Sequence, residues 1–255
     1  MIATMWTVGV DLSAENTKTC LASIDWKPGR AHVVNLQTNV SNTIIVQSVT
    51  SATKVGIDCP FGWPVPFLEF ITEHDRGDIH ARDGLPITWR RDLANRRTDL
   101  FIRDTTGLIP LSVSADRIAH AAMRCAALLA ELAASGAPVD RTGQTGKVVE
   151  VYPAVSLFQW DLTHNGYKRA AKTPELNGVV DALLAAAPWL DLGEYDRLCR
   201  SSDDAFDAVI ASLTARAAVC NQTVAPTSVQ AAMAAREGWI ALPLKASLDK
   251  LVAPV

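Results

Sequence analysis

Two short apolar runs, residues 7–12 (TVGVDL) and 54–59 (KVGIDC), each carry an aspartate near their end, Asp11 and Asp58. Runs of this length, apolar on consecutive residues, read as buried strands. A carboxylate inside such a strand is costly unless something compensates its charge. Between the two runs lie two more strand candidates, residues 17–26 and 31–36, joined by Lys27-Pro28-Gly29. A Pro-Gly turn between strands predicts an antiparallel hairpin, so the first three strands should form a meander. Residues 42–52 carry Ile44, Ile45 and Val49 on one helical side. A helix between two buried strands is the crossover of a parallel pair. Residues 147–152 give a further strand, which carries Glu150 and stops at Pro153. The expected fold class is therefore α/β, a mixed sheet of a three-stranded antiparallel meander plus parallel strands, flanked by helices.

Residues 66–111 are rich in charged and aromatic residues, among them Arg82, Trp89, Arg90, Arg91, Arg96, Arg97, Asp99 and Arg103. This segment reads as an insertion, roughly residues 62–112, forming a lid over one end of the sheet. Ser114 is the expected N-cap of a long Ala-rich helix closed by Gly136. Helices are also expected at residues 156–160 and 176–187, with Pro188 ending the second. Ser202 should cap a helix over residues 203–220, with Phe206, Val209, Ile210 and Leu213 as its apolar stripe. Residues 238–242 suggest a short terminal strand. A chain of 255 residues, 49% hydrophobic, can build all this as one domain with one core.

The chemistry lies in the acids. Asp11, Asp58 and Glu150 sit on three buried strands, and Asp203, Asp204 and Asp207 open the helix after Ser202. Taken singly, a strand-end aspartate is more often a turn or cap residue, and acids in a helix's first turn are favoured by its dipole. Taken together, converging carboxylates call for a cation. Mg²⁺ and Mn²⁺ prefer oxygen ligands, and two such ions can activate water and stabilise a leaving oxygen in phosphodiester cleavage. The expected ligands are Asp11, Asp58, Glu150, Asp204 and Asp207. Asp203 could replace Asp204, since either shares a helix face with Asp207. Arg96 and Arg97, near Asp99, offer either a phosphate clamp or an ion pair; Arg97 is the candidate for the clamp.

Other chemistries have less support. The five histidines, His32, His74, His80, His120 and His164, show no metal-binding spacing. No G-x-S-x-G elbow and no phosphate loop is present; the Gly-rich residues 143–147 lead into a strand. Phe61 and Trp63 are expected to pack the turn after Asp58. A net charge of −3 and a pI of about 5.9 exclude a basic coat for nucleic acid. The five cysteines form no C-x-x-C pair and are expected to be reduced thiols of a cytoplasmic protein. The N-terminus has no signal-peptide pattern, and residues 118–134 are too short and polar to span a membrane.

Gly9-Val10-Asp11-Leu12-Ser13 resembles the first strand of RNase H-like nucleases and actin-like ATPases. Asp204-Ala205-Phe206-Asp207-Ala208, leading into residues 209–214, is similar to the D-x-x-D-A helix of Holliday-junction resolvases. More closely, the chain resembles domain of unknown function 429, a family of predicted RNase H-like nucleases. The matching pieces are residues 8–13, 56–62, 96–99, 149–153, 204–215 and 237–240. The resemblance implies an RNase H-like fold and metal ligands among Asp11, Asp58, Glu150, Asp204 and Asp207, with nucleic acid as candidate partner. A non-catalytic ligand-binding or nucleic-acid-binding module on the same fold is the alternative.

Overall fold

The computed structural model describes residues 5–79, 87–168 and 172–253. Strand β1 (Met5–Asp11) is followed by β2 (Cys20–Lys27) and β3 (Arg30–Thr38). These three form the expected antiparallel meander, with Gly29 at φ 75° in the turn. Helix α1 (Asn42–Ser51) then crosses over to β4 (Lys54–Asp58), which runs parallel to β1. The segment after it holds α2 (Val65–Arg76), α3 (Ile87–Ala94) and α4 (Arg97–Thr106). Phe70 and Trp89 join α2 to α3 edge to face, with ring centroids 5.8 Å apart. Residues 80–86 of the expected lid, with His80 and Arg82, lie outside the described residues.

Helix α5 (Ile118–Ala134) precedes β5 (Val148–Glu150), parallel to β4. Next come α6 (Pro153–Gln159), α7 (Thr173–Ala186), β6 (Leu190–Asp191), α8 (Asp196–Ser201) and α9 (Asp203–Val219). The chain closes with β7 (Thr223–Val224), α10 (Ser228–Glu237) and β8 (Leu242–Pro243). The six-stranded sheet runs β5-β4-β1-β2-β3-β6, consistent with an RNase H-like fold. Among the described residues no helix is long and apolar enough to cross a membrane.

Several local expectations are corrected. The Ala-rich helix starts at Ile118, not after Ser114. Ser112 caps the turn instead: its hydroxyl accepts from the amide of Ala115 at 3.0 Å, and its own amide donates to Asp116 at 2.8 Å. The Ser114 hydroxyl is buried with no partner among the described residues. Strand β5 stops at Glu150 because Pro153 opens α6, where a proline costs no hydrogen bond. The terminal strand forms only at β8, paired with β7; Ile240 adds a single parallel bridge to Glu150. Helix α10 and edge strand β6 escaped the sequence reading, although Thr227 and Gln230 make a capping box.

Both sheet faces are buried. On one, Val8, Val10, Val55 and Ile57 pack against Ile45, Val49, Cys125 and Leu128 of α1 and α5. On the other, Ala22 and Ile24 meet Phe206, Val209, Ile210 and Leu213 of α9. Here the contact is unusually close. A methyl group on Gly9 would lie 2.0 Å from the carbonyl oxygen of Ala208, and one on Gly56 would lie 2.4 Å from that of Ala211. Only glycine lets the helix backbone rest on the strands in this way. The hydroxyls of Thr7 and Ser212 meet at 2.9 Å along the same seam. Gly9 and Gly56 are register partners two residues before Asp11 and Asp58. The seam therefore delivers the start of α9 to the carboxylates at the strand ends.

Candidate functional site

Asp11 and Asp58 are register partners at the C-terminal ends of β1 and β4. Ser202 caps α9, accepting from the amide of Ala205 at 3.2 Å, and the helix's first two turns bring Asp204 and Asp207 across to the same corner. Asp204 lies beside Asp11 and its charge helps to raise the Asp11 carboxyl. Burial, then the charge of Asp58, holds Asp11 well above the usual carboxylate range. Asp58 is pushed up to about 7, mainly by burial; Lys168 pulls the other way, while Asp207 and Glu150 add repulsion. Asp204 is raised by burial and by its neighbours Asp203 and Asp207.

Asp207 is only 1% exposed. It accepts from the Tyr167 hydroxyl at 2.8 Å and from the Lys168 ammonium at 2.5 Å. The Asp207 charge holds Lys168 above the ordinary lysine range despite burial of its charged end, with Asp58 and Asp11 assisting. Half of the lysine side chain is nevertheless exposed, so the stem lies in solvent and the ammonium among the acids. Cys20, the β2 register partner of Asp11, has its thiol pushed up to about 12, by burial and then by the Asp11 charge. It is no nucleophile at neutral pH.

Glu150 faces elsewhere. It is the register partner of Ile57, one residue out of phase with Gly56 and Asp58, and successive strand side chains point to opposite faces. Its carboxylate instead takes the Arg96 guanidinium, with Nη2–Oε1 at 2.7 Å and Nη1–Oε2 at 2.9 Å. Arg96 also holds Asp99 through Nη2 at 2.8 Å and Nε at 3.1 Å, and the Phe61 amide donates to Glu150 at 2.9 Å. Arg97 is exposed; its backbone amide donates to Glu237 at 2.7 Å. Glu237 also accepts from the amide of Val65 at 2.8 Å, so one buried carboxylate serves the N-termini of α2 and α4.

The structure thus brings together Asp11, Asp58, Asp204 and Asp207; Glu150 lines the same cavity as Asp58 with its carboxylate paired to Arg96, and Arg97 is exposed. Among the described residues no three His, Cys, Asp or Glu side chains are already spaced to hold a metal ion. The donor set is nonetheless all oxygen, as Mg²⁺ or Mn²⁺ requires. The corner also draws in positive charge, as the Lys168 ammonium at Asp207.

A cavity of about 530 Å³ opens beside Asp58 and Lys168. Phe61 is buried in the core and Trp63 packs partly against it, as expected of the turn. The Gly-rich loop is braced on β4: Lys54 donates to the carbonyls of Gly143 and Gly146 at 3.0 Å. All five cysteines are free. Sequence reasoning missed Tyr167, Lys168 and Glu237 as site or supporting residues. No motif marks Tyr167 or Lys168, whereas Glu237 opens one of the pieces that carry the family resemblance.

The model of one protein family, described as a protein of unknown function (DUF429), matches residues 9–231. The chain belongs to the DUF429 family. The matched residues include the four carboxylates of the acidic corner, Lys168 and the Arg96 cluster. Neither the curated proteins nor the solved structures give a match.

Proposed function

We propose that this DUF429 protein is a metal-dependent hydrolase of phosphodiester bonds, acting on nucleic acid with the acidic corner as its catalytic centre. The observation that carries this reading is the pairing of Asp11 and Asp58 on adjacent parallel strands with Asp204 and Asp207 of α9 opposite. Four buried or half-buried carboxylates repel one another, which with burial raises Asp11, Asp58 and Asp204, and a divalent cation relieves that repulsion. The similarity of residues 204–214 to the helix of Holliday-junction resolvases points the same way. Asp11, Asp58, Asp204 and Asp207 would hold Mg²⁺ or Mn²⁺, which would supply an activated water and charge to stabilise the leaving oxygen. Water would add to phosphorus, the ester P–O bond would break, and the water's proton would end on the leaving oxygen. Asp207 orients Lys168 and Tyr167, and the half-exposed lysine would neutralise the bound phosphate. In this reading Glu150 stays with Arg96 as a support for the corner.

The test is calorimetric titration with Mn²⁺ of the wild type and of Asp11→Asn/Asp207→Asn, followed by cleavage assays on single-stranded, hybrid and branched nucleic acids. Binding and Mn²⁺-dependent cleavage in the wild type, both lost in the double variant, are expected. Full metal-dependent cleavage by Asp11→Asn would refute the reading.

One observation favours a second reading, a non-catalytic binding module. The ammonium of Lys168 already provides a positive charge to the acids, as a structural counter-ion would. Under the catalytic reading Lys168→Ala should bind Mn²⁺ more tightly, because the ion no longer competes with the lysine. Under the module reading neither protein binds the metal.

A further inference from the structure

The cavity beside the acidic corner has a chemistry of its own. Asp58 and Lys168 line it next to the acids, and Ile240, Val151 and Tyr152 form buried or half-buried wall. Its volume of about 530 Å³ falls within the ~300–1,000 Å³ of small-molecule sites and cannot admit a duplex. Leu111, which lines it, is 46% exposed, and Ile109 nearby is 71% exposed. Bulky apolar groups left open beside a cavity suit an apolar or aromatic ligand face.

The polar lining is mainly cationic once internal pairs are set aside. Arg96 and Glu150 cancel each other, and Lys168 faces the acids. Arg117 and Lys172 remain, both exposed and both lining the cavity. Lys172 pairs with Glu175 at the surface, at 2.9 Å, whereas the Arg117 side chain has no polar partner among the described residues. A free guanidinium is suited to holding phosphate oxygens two at a time. His164, seated edge to face on Phe158 at 5.2 Å, and Tyr152 offer flat surfaces on which a heterocycle can stack.

We propose that this cavity receives a single nucleoside phosphate unit, either a free nucleotide or the end of a single strand, with the base against the apolar wall and the phosphate between Arg117 and the Asp58–Lys168 end. The inference rests on the phosphodiesterase reading for its catalytic meaning, but its binding claim can fail separately. A site of this shape selects ends or small nucleotides over continuous duplex, in keeping with a chain of net charge −3.

The test titrates the full chain, with Mn²⁺ present, with the four nucleoside 5′-monophosphates, ribose 5-phosphate, inorganic phosphate, a short single strand and a blunt duplex. At least one monophosphate or the single strand should bind about tenfold more tightly than ribose 5-phosphate, the increment expected of one stacked base. Binding of free nucleotide identifies a small-molecule substrate; binding of the strand alone identifies a strand end. Ile118→Trp, which fills the cavity, and the exposed Arg117→Glu should each weaken that binding about tenfold or more, with circular dichroism confirming the fold. Equal binding of base-bearing and base-free phosphates would overturn the proposal. So would preference for the duplex, or folded Arg117→Glu that binds like wild type. Separate Mn²⁺ titration of the same samples distinguishes the two failures: metal without nucleotide overturns the cavity alone, and nucleotide without metal overturns the hydrolase reading alone.

Discussion

Two groups of buried acids lie a few residues apart in this molecule and are treated in opposite ways. In the first, Asp99 and Glu150 close on the Arg96 guanidinium with four short hydrogen bonds, and all three side chains are about 2% exposed or less. In the second, Asp11, Asp58, Asp204 and Asp207 have only one half-exposed lysine among them. The first is a finished structural joint: it ties β5 to the start of α4, and the Glu237 carbonyl accepts a further bond from Arg96 at 3.1 Å. The second remains electrostatically unsatisfied. Unrelieved repulsion between acids in a cleft marks a place where a ligand's charge is awaited, while a fully paired cluster serves the fold.

Breaking the finished joint should have the largest effect. Arg96→Met leaves two buried carboxylates without their cation, and removing one partner of a buried pair typically costs about 3–5 kcal/mol. Urea denaturation should show a loss of that size or an unfolded protein; a loss below about 1 kcal/mol would mean the joint is no more than a surface ion pair. The glycine seam comes next. Gly56→Ala forces α9 off β4, and overpacking of this kind costs about 1–3 kcal/mol. Because the same shift moves Asp204 and Asp207 away from Asp58, Mn²⁺ affinity should fall together with stability.

The acidic corner should respond in the opposite sense. Asp11→Asn removes an acid whose ionised form the fold disfavours, chiefly by burial, so near neutral pH the metal-free variant should be more stable than wild type, by about 1 kcal/mol, while losing metal binding. An equal or lower melting temperature would show that the corner is already satisfied, erasing its contrast with the Arg96 joint. The pH dependence gives a finer reading. Asp58 titrates near 7 in the folded protein and near ~3.9 when unfolded, so the folded state binds the extra proton between these values. Its stabilising contribution is complete below the unfolded value and is lost as pH rises through 7, with a slope of at most about 1.4 kcal/mol per pH unit; Asp11 acts in the same direction. Metal-free protein should therefore melt progressively earlier from pH 5 to pH 8, and Asp58→Asn should flatten that trend.

Much of this architecture was legible in the chain because its signals are local. Apolar runs ending in Asp11 and Asp58, the Pro28-Gly29 turn and the Ser202 cap each act over a few residues, and together they lead to the meander, the crossover and the acid-bearing start of α9. Side-chain direction and partnership were not legible in the same way. Glu150 looks equivalent to Asp58 in an apolar run, but the β4–β5 register turns it to the opposite face, and one residue of register reverses every side chain. Arg96 and Arg97 are neighbours of the same type, and only the packing of α4 against β5 and α10 buries one and leaves the other in solvent. Tyr167, Lys168 and Glu237 reach their partners across 40, 39 and 140 or more residues of chain, with no spacing rule to announce them. The sequence by itself determined where charge would be trapped in strands and at a helix start, because burial and capping are short-range preferences. The tertiary structure alone decided which of those charges would be neutralised, because neutralisation depends on what distant segments bring within about 3 Å.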